Sequence, residues 1–213
     1  MNKRKLGALI ATIALIAAIA IGGTLAYFTD KDENTNVVKM GHVDITLTET
    51  TDSGKATTIG AKGITFENVL PGDTLSKVPT ITVENGSADC YVRAQLTFTT
   101  PDGSQITQAD LNQLKASLIA QITEDGTWAY NEADNYFYCT DARVAGDTVD
   151  LFQSVTVPAA WQNNVADQSF SIGIKAEAIQ ASYISYDAAN ITWADANGAA
   201  LTGVQIQEYA AKQ

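Results

Sequence analysis

Apolar and polar residues alternate with a period of two in segment after segment of this chain. Cys90, Val92, Ala94, Leu96 and Phe98 would line one face of an extended strand, and Tyr91, Arg93, Gln95 and Thr97 the other. Val43, Ile45 and Leu47 alternate with Asp44, Thr46 and Thr48 in the same way. Ile81 and Val83 do so within residues 80–84, and Phe170, Ile172, Ile174, Ala176 and Ala178 form a second long run. That period belongs to a pleated strand packed on one face, since a helix repeats every three to four residues. Turn chemistry separates the runs. Pro71-Gly72-Asp73 and Pro101-Asp102-Gly103 read as tight turns, and Asn85-Gly86 is a hairpin signal. Residues 50–63 are rich in Thr, Ser, Gly and Lys and read as a loop.

One segment breaks the pattern. Leu111, Leu114, Leu118 and Ile122 recur at helical spacing, with Thr107 as N-cap and Asp110 three residues on in a capping-box arrangement. This predicts an amphipathic helix at about 108–122, docked on a sheet. Strands resume at 128–130 and 136–139, joined by a polar hairpin loop at 131–135. A further strand runs from Gly146-Asp147 to Val157, where Pro158 ends it. Residues 187–194 suggest a short helix, and the tail from Leu201 a weak strand through Val204 and Ile206. Many short strands with regular turn signals predict an all-β-dominated, antiparallel β-sandwich with one inserted helix and short extra helices.

The N-terminus carries a different message. Lys3, Arg4 and Lys5 precede an apolar run from Leu6 to Ile21. Thr24 and Ala26 then supply small residues at the −3 and −1 positions, which places an export-signal cut between Ala26 and Tyr27. The competing reading is an uncleaved anchor. The run of about sixteen residues spans roughly 24 Å as a helix, short of the about twenty apolar residues a bilayer core asks for, so the cleavable signal is favoured. The domain reading is therefore a signal at 1–26, an extended arm at 27–40 and a sandwich domain at 41–213.

The whole chain has a net charge of −11. Loss of the three cations of the signal moves this to about −14, a surface that repels nucleic-acid phosphates and anionic membranes. Contact with a membrane is thus expected only before signal removal. Cys90 and Cys139 are a candidate disulfide in an exported chain, with two buried thiols as the alternative. His42 is the single histidine, which excludes zinc sites built on two or three His ligands. It reads as a surface side chain. No G-x-S-x-G or phosphate-binding loop occurs. No cofactor is expected. The acidic groups Asp30, Asp32 and Glu33, and Asp187 with Asp195, would allow loose calcium binding, but a solvated face is favoured because neither has an EF-hand pattern. Trp128, Tyr130, Tyr136 and Tyr138 are a candidate aromatic platform for a glycan or a partner, weighed against plain hairpin stabilisation.

The stretch Gly22-Gly23-Thr24-Leu25-Ala26-Tyr27-Phe28-Thr29-Asp30 resembles the signal end of proteins cut by a SipW-type signal peptidase. Gly41 before Val43-Asp44-Ile45-Thr46-Leu47, the Leu70-Pro71-Gly72-Asp73 turn, Glu84-Asn85-Gly86-Ser87, the run from Leu151-Phe152 to Pro158 and Trp161, and Lys175-Ala176-Glu177-Ala178-Ile179-Gln180-Ala181 are similar to the TasA/camelysin family. The resemblance implies a jelly-roll sandwich, secretion from a Gram-positive-type cell to its surface or extracellular matrix, and assembly into biofilm-matrix fibres. A SipW-type peptidase, further copies of the chain and an accessory matrix protein are the partners it implies. One branch of the family is a casein-cleaving metallopeptidase, but the chain offers no histidine pair for that activity.

These readings converge on a non-enzymatic exported subunit that polymerises by strand addition. Tyr27, Phe28, Val37, Val38 and Met40 give the arm extended-type residues, and signal cleavage would free it to pair with the sheet edge of another copy. A head-to-tail contact of that kind builds filaments. A surface metallopeptidase and an adhesion or glycan-binding module are the alternatives.

Overall fold

The computed structural model describes residues 42–60, 63–165, 168–202 and 205–206. The signal at 1–26 and the arm at 27–40, with Thr24, Ala26, Tyr27, Phe28, Val37, Val38 and Met40, lie outside them, as do Asp30, Asp32 and Glu33.

The alternating segments form strands. In chain order these are β1 (Ile45–Thr50), β2 (Ala56–Gly60), β3 (Gly63–Phe66), β4 (Thr74–Ser76), β5 (Val78–Val83) and β6 (Cys90–Thr99). Helix α1 (Gln108–Ile122) follows, then β7 (Trp128–Asn131), β8 (Tyr136–Cys139), β9 (Thr148–Asp150) and β10 (Ser154–Thr156). A 3-10 helix (Ala159–Val165) leads to β11 (Ser171–Gln180), β12 (Ser185–Asp187) and β13 (Thr192–Ala194). A three-stranded sheet has the order β1-β5-β9 and a four-stranded sheet the order β11-β6-β8-β7. All pairings are antiparallel, and β4-β10, β2-β3 and β12-β13 form separate two-stranded ribbons. The chain is thus an all-β sandwich with one α-helix among the described residues.

The core lies between the two larger sheets. Ile81 and Val83 of β5 meet Val92, Ala94 and Leu96 of β6 there, with Phe137, Val149, Leu151 and Phe152. Helix α1 closes one end with Leu111, Leu114, Leu118 and Ile122, the four residues its spacing singled out. Its start is fixed as predicted. The Thr107 hydroxyl accepts from the Asp110 amide at 3.2 Å, and the Asp110 carboxylate accepts from the Thr107 amide at 2.8 Å.

Turn chemistry acts as expected at Pro71-Gly72. The Asp73 amide donates to the Leu70 carbonyl at 3.0 Å, and Gly72 holds φ +91°, a conformation that glycine adopts without cost. Asn85-Gly86 also turns, but not as a hairpin. Val83 at the end of β5 bonds to Asp147 and Gly146, and Glu84 to Asp44, so no edge is left for β6. The chain crosses to the other sheet instead, where β6 pairs with β11 over its whole length, from Cys90↔Gln180 to Thr99↔Ser171.

Three further expectations are corrected. The strand expected from 147 to Val157 is two short strands in different sheets, since Leu151 and Phe152 turn into the core between them. Residues 187–194 form the β12–β13 hairpin rather than a helix. The Asp187 carboxylate accepts from the Ala189 amide and the Asn190 side chain, and a capped turn replaces the helix start. The tail forms no strand at 205–206. The Gln205 side chain accepts from the Thr202 amide and hydroxyl at 2.9 and 3.0 Å, and a helical turn begins; Val204 lies outside the described residues.

Candidate functional site

The two sheets are closed unevenly. β5 and β6 lie inside their sheets and their inward side chains are fully buried, whereas β1 and β11 are edge strands. Val43, Ile45 and Leu47 on the β1 side stay half-buried, as do Ile172, Ile174, Ala176 and Ala178 on β11. These two edges come into contact with each other across this side of the sandwich. Among the described residues each is hydrogen-bonded on one side only.

An edge strand offers a row of free backbone donors and acceptors to any extended segment. β11 carries a common safeguard: Lys175, exposed, in mid-strand beside Glu177 at 2.5 Å. β1, Ile-Thr-Leu-Thr-Glu-Thr, has neither Lys nor Pro. Its one charge, Glu49, is engaged by the buried Lys77 at 2.6 Å. The β1 edge is therefore the less guarded of the two.

The opposite face of the four-stranded sheet is closed by the β12–β13 hairpin and the segment after it. Tyr138, Ile179, Ile184, Trp193, Leu201 and Ile206 form a second core there. Arg93 sits inside it, 2% exposed. Its guanidinium donates to Glu177 at 2.6 and 2.9 Å and to the Tyr138 hydroxyl at 3.1 Å, and lies 3.9 Å from the centre of the Tyr136 ring. Burial pushes the Glu177 carboxyl up, but hydrogen bonds from Lys175 and Arg93 outweigh it and hold the group below its ordinary value. Burial also opposes the charge of Arg93; its bonds to Tyr138 and Glu177 more than offset this. Period-two reading puts Arg93 on the second face of β6 but gives no sign that the C-terminal hairpin buries that face. Arg93, Glu177 and Trp193 are the centre that sequence reasoning missed.

The aromatic platform does not assemble. Trp128 points into the main core, 2% exposed, and its indole donates to the Asp150 carbonyl at 2.9 Å. Tyr130 packs on Phe137 at 4.8 Å, while Tyr136 and Tyr138 turn to the other face, under the C-terminal hairpin. Alternation separates the rings, and both faces of the hairpin are covered. Cys90 and Cys139 are buried free thiols in the main core, on neighbouring strands. Arg143 donates to the Cys139 sulfur at 3.1 and 3.2 Å. Burial, with Asp89 nearby, pushes the Cys90 thiol up to about 11. Asp187 and Asp195 each accept bonds from their own turns, Asp195 from the Asn197 and Ala199 amides at 2.8 and 2.9 Å.

Residues 1–94 match the family model described as camelysin metallo-endopeptidase. Through that stretch, less than half of its length, the chain is similar to the camelysin family. Neither the curated proteins nor the solved structures compared with the chain give a match. The family description names a metal-dependent activity. Among the described residues no three His, Cys, Asp or Glu side chains converge within reach of one ion. His42 is exposed ahead of β1. That donor set does not fit a zinc centre of the His-rich kind.

Proposed function

We propose that this chain is an exported fibre subunit, assembled by addition of its N-terminal arm to the sheet edge of the next copy. The supporting observation is the half-buried row Val43, Ile45, Leu47, Ile172 and Ile174 beside two edges paired on one side only. An added strand would satisfy the backbone of one edge and cover that row. In this reading the signal ends at Ala26, a SipW-type peptidase frees Tyr27, and residues 27–40 become the donor. Phe28, Val37, Val38 and Met40 would supply the apolar side chains. The subunit would then act at the cell surface or in the extracellular matrix, with itself as main partner and an accessory matrix protein as a second. Among the described residues no helix is long and apolar enough to cross a membrane.

Deleting residues 27–36 from the mature protein is expected to abolish long fibres in electron micrographs at concentrations where the intact form polymerises. Fibres of undiminished length and number would overturn the reading.

The family description supports a second reading, a surface peptidase. Purified protein incubated with casein, with and without a chelator, separates the two. The fibre reading expects no cleavage above background. Robust, chelator-sensitive cleavage would reverse the order.

A further inference from the structure

β6 outruns its neighbour. It pairs with β8 only from Arg93↔Tyr138 to Gln95↔Tyr136, while its pairing with β11 continues to Thr99. On the β8 side, residues 96–99 therefore meet no strand among those described. The first half of α1 lies across this gap, and the hairpin loop ends beside it at Asn135. Together they line an open cleft of about 290 Å³, at the small end of ligand pockets.

The rim is built from amides, and their internal bonds set what each has left to offer. The Asn135 carbonyl oxygen accepts from Lys115 at 2.7 Å and from the Tyr130 hydroxyl at 3.0 Å. Its orientation is fixed from two elements, and its NH2 is left over. Asn135 also holds φ +61°, the left-handed region, which the loop stabilises through its amide bond to the Asn131 carbonyl. The Gln108 NH2 donates to the Asn112 carbonyl at 3.0 Å, leaving a Gln108 acceptor and an Asn112 donor. Gln95 spends its NH2 on the Asp134 carbonyl at 3.5 Å and keeps its own carbonyl. The rim thus presents unused amide N–H groups on Asn112 and Asn135 and unused amide carbonyls on Gln95 and Gln108. Phe98, half-buried, adds an apolar surface beside the buried Leu96 and Leu111, and Lys115 is the one charged side chain lining the cleft.

From this juxtaposition of a short open strand edge, four half-used amides and an apolar surface, we infer that the cleft binds a neutral saccharide carrying an acetamido group. An acetamido N–H and C=O match the backbone pairing that β8 leaves unused. Sugar hydroxyls, each both donor and acceptor, match amides that offer one of each. The C–H face of the ring matches the half-buried Phe98. An extended peptide fits less well, because the open edge spans only residues 96–99.

The test uses tri-N-acetylchitotriose on the purified protein, by isothermal calorimetry and by saturation transfer to the acetyl methyl groups. A dissociation constant of about 1 mM or tighter is expected, weakened about tenfold by the double substitution Gln108→Ala and Asn112→Ala. Both residues are exposed and alanine favours a helix, so the variant keeps its fold. Cellotriose, which has the hydroxyls but no acetamido group, should bind about tenfold more weakly. Three results would each overturn the inference: no binding of the trisaccharide, binding unchanged in the double variant, or equal binding of cellotriose. Preferential binding of tetra-alanine would assign the edge to peptides instead.

Discussion

Arg93→Ala is expected to lower the unfolding free energy by about 3–5 kcal/mol, the cost of breaking a buried ion pair from one side. The guanidinium carries three roles at once. It pairs with Glu177, bonds the Tyr138 hydroxyl and stacks on Tyr136. Alanine leaves a cavity under Trp193 and a carboxylate whose remaining cation is the exposed Lys175. Urea denaturation measures the effect as a lower midpoint at constant slope. A loss below about 1 kcal/mol would show the pair to be no more than a surface salt bridge. The pair also sets a pH dependence. Glu177 titrates below its ordinary value of 4.5 in the fold. Its contribution is therefore complete above that value and fades as pH falls through the lower folded one. Glu177→Gln should be less stable than the parent at neutral pH and should lose this part of the acid sensitivity. A parent and variant with parallel acid profiles would argue against the pair as its source.

Trp193→Ala should cost a similar amount, about 3–5 kcal/mol. Trp193 is fully buried, meets Tyr138 edge-on at 5.4 Å and covers Arg93 at 5.4 Å. The indole is the keystone of the second core, and removing it lets water reach the guanidinium. Trp193→Phe should cost much less than Trp193→Ala. The indole nitrogen is buried without a hydrogen-bond partner, so phenylalanine forfeits no bond there. Hydrogen exchange locates the effect. In the alanine variant the β12–β13 amides should exchange well before those of β5 and β6. Uniform loss of protection would mean that the two cores unfold as one.

The strands and α1 were legible because each carries one local signal. Period two over Cys90–Thr99 and the Thr107–Asp110 capping box need no knowledge of partners. Asn85-Gly86 misled because its chemistry specifies a turn and not where the chain goes next. Residues 187–194 misled because Asp187 caps a turn as readily as a helix, and only the pairing Tyr186↔Trp193 decides. Trp128 and Tyr138 pack into different cores on the two faces of the hairpin, so the common surface expected of them is lost to chain distant in sequence. The amides around residues 96–99 left no trace in periodicity. Their meeting depends on β8 stopping short of the end of β6.

The longest ladder in the molecule has a kinetic corollary. Arg93 and Glu177 are 84 positions apart, and every rung of β6–β11 requires a loop of comparable length to close. Closure entropy is spent before the rungs repay it, which places such topologies among the slower folders. The partners of β6, namely β8 and β11, all follow residue 94, where the family match ends. During synthesis, one side of this central strand would wait unpaired until the last third of the polypeptide arrived. A chain that stays open that long is easily threaded through a narrow pore before it closes.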